Sequence, residues 1–291
     1  MDNTKKQGNN KQDNKKKNKK NKAGNVYRVI AIVCMTAAVI CLAVYAYQLY
    51  SKNKAADALE DLRDQAVETV TEAVTGEEDD WNETYDRDIY EATGEYIEAR
   101  NIDWDALHEE NEDIYGWIYI PNTNVDYPVL QDPESDDYYL LHNIDGSSGY
   151  PGCIYSEPTY NSRGWDDPCT VLYGHNMKNK SMFATLHNFE DEDFFNENRY
   201  IYVYTPEQTI VYAIYGTNQF SDDHILYYYD FSDETGANAF DAQTLTSSSS
   251  MNHQNEEAVD MLNADSKRLI LSTCISYAPN NRFIVMGVRL N

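Results

Sequence analysis

Nineteen consecutive residues, Val29 to Tyr47, carry no charged side chain and a single aliphatic hydroxyl, Thr36. A helix of about 20 such residues, rising about 1.5 Å at each, spans the hydrocarbon core of a bilayer. It pairs its backbone groups internally, as lipid requires. Tyr27 marks one interface, and Tyr45, Tyr47 and Tyr50 mark the other. Residues 1–28 hold nine Lys and Arg28 against Asp2 and Asp13, whereas residues 51–291 hold 13 basic and 47 acidic residues. The positive-inside rule then gives a single-pass cell-membrane protein, with its N-terminus cytoplasmic and residues 51–291 outside. A cleaved signal peptide is the competing reading. Its basic region would be unusually long, its apolar run exceeds the usual length of about 7–15, and no Ala-x-Ala site follows. Val39-Ile40 before Cys41 do not suit lipoprotein processing, so Cys34 and Cys41 are read as apolar residues of the span. The formal net charge of −26 excludes a general nucleic-acid binder, which needs a basic face.

The segments around the span differ in character. Residues 1–25 are rich in Lys and Asn, nearly without apolar side chains, and are expected to lack fixed structure. In residues 51–74, Leu59, Leu62, Ala66, Val70 and Ala73 recur every three or four positions, which predicts a helix with Gly76 as its stop. That helix is either a stalk or docked on the main domain. Residues 75–86 are acidic and polar, a linker, and Asp103 is set to cap a short helix over 104–111. From Gly116 the pattern becomes short β-rich runs at 116–120, 125–130, 153–156, 169–173, 200–204, 209–215, 268–273 and 282–288. A helical turn fits 181–188. Residues 217–267 form a long connection with a helix over 256–262, because a connection of that length needs structure or function of its own. The fold class is mainly β: an eight-stranded barrel with helices at its start and one in the connection before the last two strands. The division is a Lys-rich cytoplasmic tail (1–28), a transmembrane helix (29–50), a helical stalk and linker (51–86) and an outer domain (87–291).

Three cysteines lie beyond the span: Cys153, Cys169 and Cys274. The number is odd, so at least one is free or bonded to another molecule. A Cys153–Cys169 disulfide and two buried thiols both fit the first pair. No CxxC or His-x-x-His pair is present, so a structural zinc site is not expected, and no cofactor is expected. Cys274 ends the run Leu269-Ile270-Leu271-Ser272-Thr273. A nucleophilic thiol needs a neighbouring base or cation. Arg282 lies eight residues on, at the start of the next strand, and pairing of the two strands would return its guanidinium to Cys274, where it could hold an anion. Of the six histidines, His175 stands where the run Thr170-Val171-Leu172-Tyr173 and Gly174 give way to a loop, a place for a side chain to face a cleft. His108, His142, His187, His224 and His253 sit in helical or loop contexts and are read as structural.

The order Tyr173-Gly174-His175-Asn176-Met177, Ser181-Met182-Phe183, Leu271-Ser272-Thr273-Cys274, Arg282 resembles the class B sortases, membrane-anchored cysteine transpeptidases of Gram-positive bacteria. The resemblance begins near Ile114-Tyr115-Gly116-Trp117-Ile118 and Asp126-Tyr127-Pro128-Val129, and runs through Tyr139-Leu140 to the C-terminus. It implies a sortase-type β-barrel with His175, Cys274 and Arg282 at one cleft. It implies that Cys274 attacks the Thr carbonyl of an LPxTG-like or NPxTN-like sorting signal on a surface protein, and that an amine of a peptidoglycan precursor or a pilin resolves the thioester. Leu140, Tyr173 and Ser272 match family positions beside the bound signal. The sequence departs from the family at Ile270, where the first Thr of the Thr-Leu-x-Thr-Cys run is common. It also departs at Ile275, where some relatives carry an acid, and at Asp136, where Asn is frequent.

The leading expectation is therefore a transpeptidase joining surface proteins to the cell wall. A pilin-polymerising enzyme with the same site, a cysteine peptidase using water and a non-enzymatic, membrane-anchored wall-binding β-domain are the alternatives. No acidic third member accompanies His175 in the sequence, so a triad is not expected.

Overall fold

β-Branched and aromatic residues alternate through most of the short runs of this chain, and those runs form the strands of the computed structural model, which describes residues 4–69 and 85–291. The chain divides into two compact units, Met1–Asn53 and Lys54–Asn291.

The described residues of the first unit, 4–53, lie in helix α1 (Thr4–Ala66). The side chains of residues 27–50 are exposed on every face, including Ile30, Val33, Val39 and Leu42. A helix that is apolar all round and unburied is a candidate membrane anchor. The Thr36 hydroxyl donates to the carbonyls of Ile32 and Val33, so the one aliphatic hydroxyl of the span is satisfied within the helix. The Lys/Asn-rich tail, expected to lack structure, is helical from Thr4. The costly step in helix formation is nucleation, which the apolar segment supplies, and each further residue adds one hydrogen bond.

In the second unit, Leu59, Leu62 and Ala66 are buried, as their spacing predicts, and Ala55 is buried as well. The helix ends at Ala66, earlier than expected, because residues 67–69 turn into strand β1 (Val67–Thr69), antiparallel to β2 (Arg100–Ile102). Val70, Ala73, Gly76 and most of the expected linker lie outside the described residues. Asp86 does not behave as linker. Its carboxylate accepts from Ile89 N and Thr209 Oγ1, capping helix α2 (Arg87–Thr93) and tying it to the barrel. Helix α3 (Trp104–Glu110) begins at the predicted Asp103 cap.

Eight strands close the barrel: β3 (Ile114–Tyr119), β4 (Asp126–Leu130), β5 (Ile154–Tyr155), β6 (Cys169–Tyr173), β7 (Tyr200–Tyr204), β8 (Thr209–Ser221), β9 (Arg268–Ile275) and β10 (Ala278–Arg289). Their order around it is β10-β8-β7-β3-β4-β5-β6-β9. The pairs β4–β5 and β6–β9 are parallel and the others antiparallel. Closure removes exposed edges and buries one face of every strand around Trp117, Val203, Tyr212, Leu271 and Phe283.

Strand β8 is longer than its apolar run, and the connection after it starts at residue 222 rather than 217. Residues 217–219 are polar, but Thr217 Oγ1 donates to Met251 O and Asn218 Nδ2 to Thr244 O, so both are buried without an unsatisfied group. The connection carries three helices, α5 (Ile225–Tyr228), α6 (Glu234–Thr246) and α7 (Glu256–Val259), where one was predicted. A further short helix, α4 (Glu192–Glu197), precedes β7, and the turn predicted at 181–188 is a 3-10 helix over Phe183–Glu190. Helix α6 escapes a reading by periodicity because two of its buried positions, Asp241 and Thr244, are polar beside Ala237 and Phe240. Phe240, Phe231 and Phe220 pack with Ile270, Ile284 and Met286 in a second core on the outer face of β8, β9 and β10.

Candidate active site

The site grows from the parallel pairing of β6 with β9, in which Tyr173 stands opposite Ser272. Past that pair the chains stay joined. Gly174 N donates to Ser272 O at 3.2 Å, and Thr273 Oγ1 donates to Gly174 O at 2.8 Å. Residues 174–175 are thereby held abreast of 273–274. Gly174 is required here, because a Cβ would come within 2.7 Å of the Phe183 ring and 2.6 Å of Ile154 Cδ1. On the other side of β9, the antiparallel strand β10 places Arg282 directly opposite Cys274. Three neighbouring strand ends thus present His175, Cys274 and Arg282.

All three line one cleft of about 230 Å³, and Leu140, Tyr173 and Ser272 line it with them. Phe220, Ile225 and Tyr155 add apolar wall, and Asp222, Asp223 and His224 add polar wall. Cys274 is exposed. His175 Nε2 lies 2.8 Å from Leu140 O. A carbonyl only accepts, so Nε2 carries the hydrogen and Nδ1 is the nitrogen left to exchange a proton. No carboxylate bonds to His175 among the described residues. The Tyr150 ring stands 4.9 Å from the imidazole. Arg282 Nη1 donates to Pro279 O and Asn281 O, which fixes the plane of the guanidinium. Among the described residues no carboxylate pairs with it, whereas Arg63, Arg87, Arg100, Arg163, Arg199, Arg268 and Arg289 all have acidic partners. In so acidic a chain, an arginine left unpaired at a cleft is available to a ligand's oxygens.

Cys153 and Cys169 are separate buried thiols rather than a disulfide, and burial pushes both well above the usual thiol range. That leaves Cys274 as the exposed thiol of the second unit. No group of three or more His, Cys, Asp or Glu side chains able to hold a metal ion occurs among the described residues.

Asn176, His187, Glu190, Glu157 and His224 are polar residues at the site to which the sequence assigned no role. Asn176 Nδ2 and His187 Nε2 lie 2.8 and 3.1 Å from Cys274 O, and His187 Nδ1 lies 2.5 Å from Glu190 Oε1. These contacts anchor the backbone that bears the thiol. In the cleft wall, Tyr173 donates its hydroxyl to Glu157 Oε2 at 3.1 Å, and His224 Nε2 lies 2.7 Å from the same oxygen. Burial, helped by the Glu157 carboxylate, raises the Tyr173 phenol so far that it stays a neutral donor.

Comparison with known proteins bears on the family and the fold. The family model described as "Sortase domain" matches residues 118–290. The chain is 37% identical over 88 residues to sortase B of Listeria monocytogenes serovar 1/2a, a match that covers 30% of this chain and only 35% of that protein. Among solved structures, Clostridium perfringens sortase B superposes with a TM-score of 0.55 at 27% identity, covering 65% of this chain and 100% of that one. Bacillus anthracis sortase B in complex with AAEK2 gives 0.54 at 28%, covering 65% and 82%.

Proposed function

Because the chain belongs to the sortase family, and within it to class B, we propose that it is a membrane-anchored transpeptidase that cleaves an LPxTG-like or NPxTN-like sorting signal and transfers the surface protein to a cell-wall amine. The observation that carries this reading is the meeting of an exposed thiol, an imidazole with one free nitrogen and a carboxylate-free guanidinium in one cleft. The thiolate of Cys274 attacks the threonine carbonyl carbon, and a C–S bond forms while the carbonyl oxygen gains the negative charge. Arg282 donates to that oxygen or to the adjacent peptide carbonyl. His175 Nδ1–H gives its proton to the leaving nitrogen as the C–N bond breaks, which leaves a thioester. The acceptor amine then attacks the thioester, loses a proton to His175 Nδ1 and displaces the thiolate. Leu140, Tyr173 and Ser272 flank the bound signal. The basic tail lies in the cytoplasm and the barrel outside. There the anchor holds enzyme, substrate proteins and lipid-linked acceptors at one surface and raises their effective concentration.

The test is to incubate the full chain, in detergent micelles, with a panel of sorting-signal peptides and to seek the acyl-enzyme by mass spectrometry. A thioester on Cys274 that an added amine converts to an amide supports the reading. A panel without adduct, or an adduct that persists in Cys274→Ala, overturns it.

A further inference from the structure

Glu157 is a carboxylate with a side chain only 12% exposed, and the acyl-transfer steps make no use of it. One of its oxygens serves two donors from different elements of the cleft lining, the Tyr173 hydroxyl on β6 and His224 Nε2 at the start of α5, whose rings stand 6.5 Å apart. His224 is bound at its other nitrogen as well. Tyr227 N donates to Nδ1 at 3.1 Å, so Nδ1 must be the acceptor and Nε2 must carry the hydrogen that points to Glu157. The imidazole is thus both the cap of α5 and a strut to Glu157. The Tyr160 ring lies 4.5 Å from it and limits its tilt. Ile225, immediately after the cap, is 4% exposed and lines the cleft beside His224. The turn that bears Glu157 is itself tied down, since Thr159 N donates to Asp136 Oδ1. Burial raises the Glu157 carboxyl above its usual range, while His224 and Tyr173 oppose the rise by bonding to the charged form.

We propose that Glu157 and His224 are positioning residues that clamp the α5 wall of the cleft to Tyr173 and so set the width of the peptide-binding groove. The proposal rests on the sortase reading of the cleft, but the clamp can be tested without turnover. Glu157→Leu keeps the approximate size of the side chain and removes the one oxygen that both donors share. His224→Asn keeps a side-chain oxygen able to cap α5 but is too short to reach Glu157.

The experiment uses the full chain in detergent micelles. Hydrogen exchange of residues 222–231 is measured first. Exchange about tenfold faster in Glu157→Leu is expected for the loss of the His224 bond to a charged group, and unchanged exchange overturns the clamp. Steady-state kinetics then use the sorting-signal peptide that turns over best. Both single variants should raise KM about tenfold with kcat within about twofold, and iodoacetamide should alkylate Cys274 at the wild-type rate. The two changes act on one strut, so the double variant should be no worse than the poorer single variant. A fall in kcat at constant KM, or an additive loss of about a hundredfold in the double variant, overturns the proposal. Failure of the wild-type chain to react with any peptide counts against the transpeptidase reading, and the exchange measurement still decides the clamp.

Discussion

Replacing Arg282 by alanine should lower kcat/KM for a sorting-signal peptide by two to three orders of magnitude, and the structure says where the loss arises. The guanidinium commits Nη1 to two backbone carbonyls, those of Pro279 and Asn281. Nε and Nη2 have no protein partner among the described residues, and no carboxylate neutralises the charge. These are preorganised donors beside the thiol, since Arg282 and Cys274 are opposed on β10 and β9. One such donor, aimed at an oxygen where charge develops, is worth about 2.7–4 kcal/mol, or about 10²–10³ in rate. The loss should fall mainly on kcat, because the bond strengthens as the oxygen becomes an anion. Arg282→Lys keeps the charge but not the planar fork, so it should recover only about tenfold of the loss. The assay is steady-state cleavage of a fluorogenic peptide by the full chain in detergent micelles. Thermal unfolding serves as the control, and a melting shift of no more than about 3 °C is expected for a residue at the rim of the cleft. Activity of Arg282→Ala within about fivefold of wild type would refute the reasoning.

Three further outcomes follow from the packing. Arg268 has a side chain 1% exposed and pairs with Asp241 of α6 at 2.7 Å, so Arg268→Met strands a buried carboxylate and should cost about 3–5 kcal/mol, or about 6–20 °C in Tm. Arg268→Met combined with Asp241→Leu should regain most of that in calorimetry, and a double variant less stable than the single one contradicts the account. Iodoacetamide on the native chain should label Cys274 and spare Cys153 and Cys169 until the barrel unfolds, as peptide mapping would read; native labelling of Cys169 would mean that the burial is wrong. Burial raises the Asp86 carboxyl in the folded chain above its unfolded value, so its contribution is greatest below about pH 3.9 and is lost as pH rises through the folded value. Asn at this position keeps the cap on Ile89 N without ever charging. The stability of Asp86→Asn relative to wild type in urea should therefore grow between pH 4 and pH 7, and a difference that shrinks over that range would reverse the sign.

The strands were legible where residues of one type filled them. Tyr200–Tyr204 and Cys169–Tyr173 have the predicted limits. Strand β8 was read short because Gly216, Thr217, Asn218 and Gln219 look like a loop. Their polar groups are satisfied by Met251, Thr244 and Asn252, residues that only the folded connection brings near. Helix α6 was missed for a related reason. Asp241 occupies a core position because Arg268, 27 residues away, meets its charge. In both cases a polar side chain is at home in the interior through a partner that local sequence does not name.

Local sequence by itself determined an apolar helix long enough to cross a bilayer, a sign change in charge across it, the runs able to become strands, and the thiol, imidazole and guanidinium worth watching. Each of these depends on residues adjacent in the chain or on one periodic face. Tertiary structure decided the parallel junction of β6 and β9, which brings His175 abreast of Cys274 across 98 intervening residues, and the pairing that sets Arg282 opposite. It also decided that Asn176, His187, Glu157 and His224 serve the same cleft. The reason is physical: strand pairing and polar satisfaction are interactions between distant segments, and their partners are chosen only when the barrel closes.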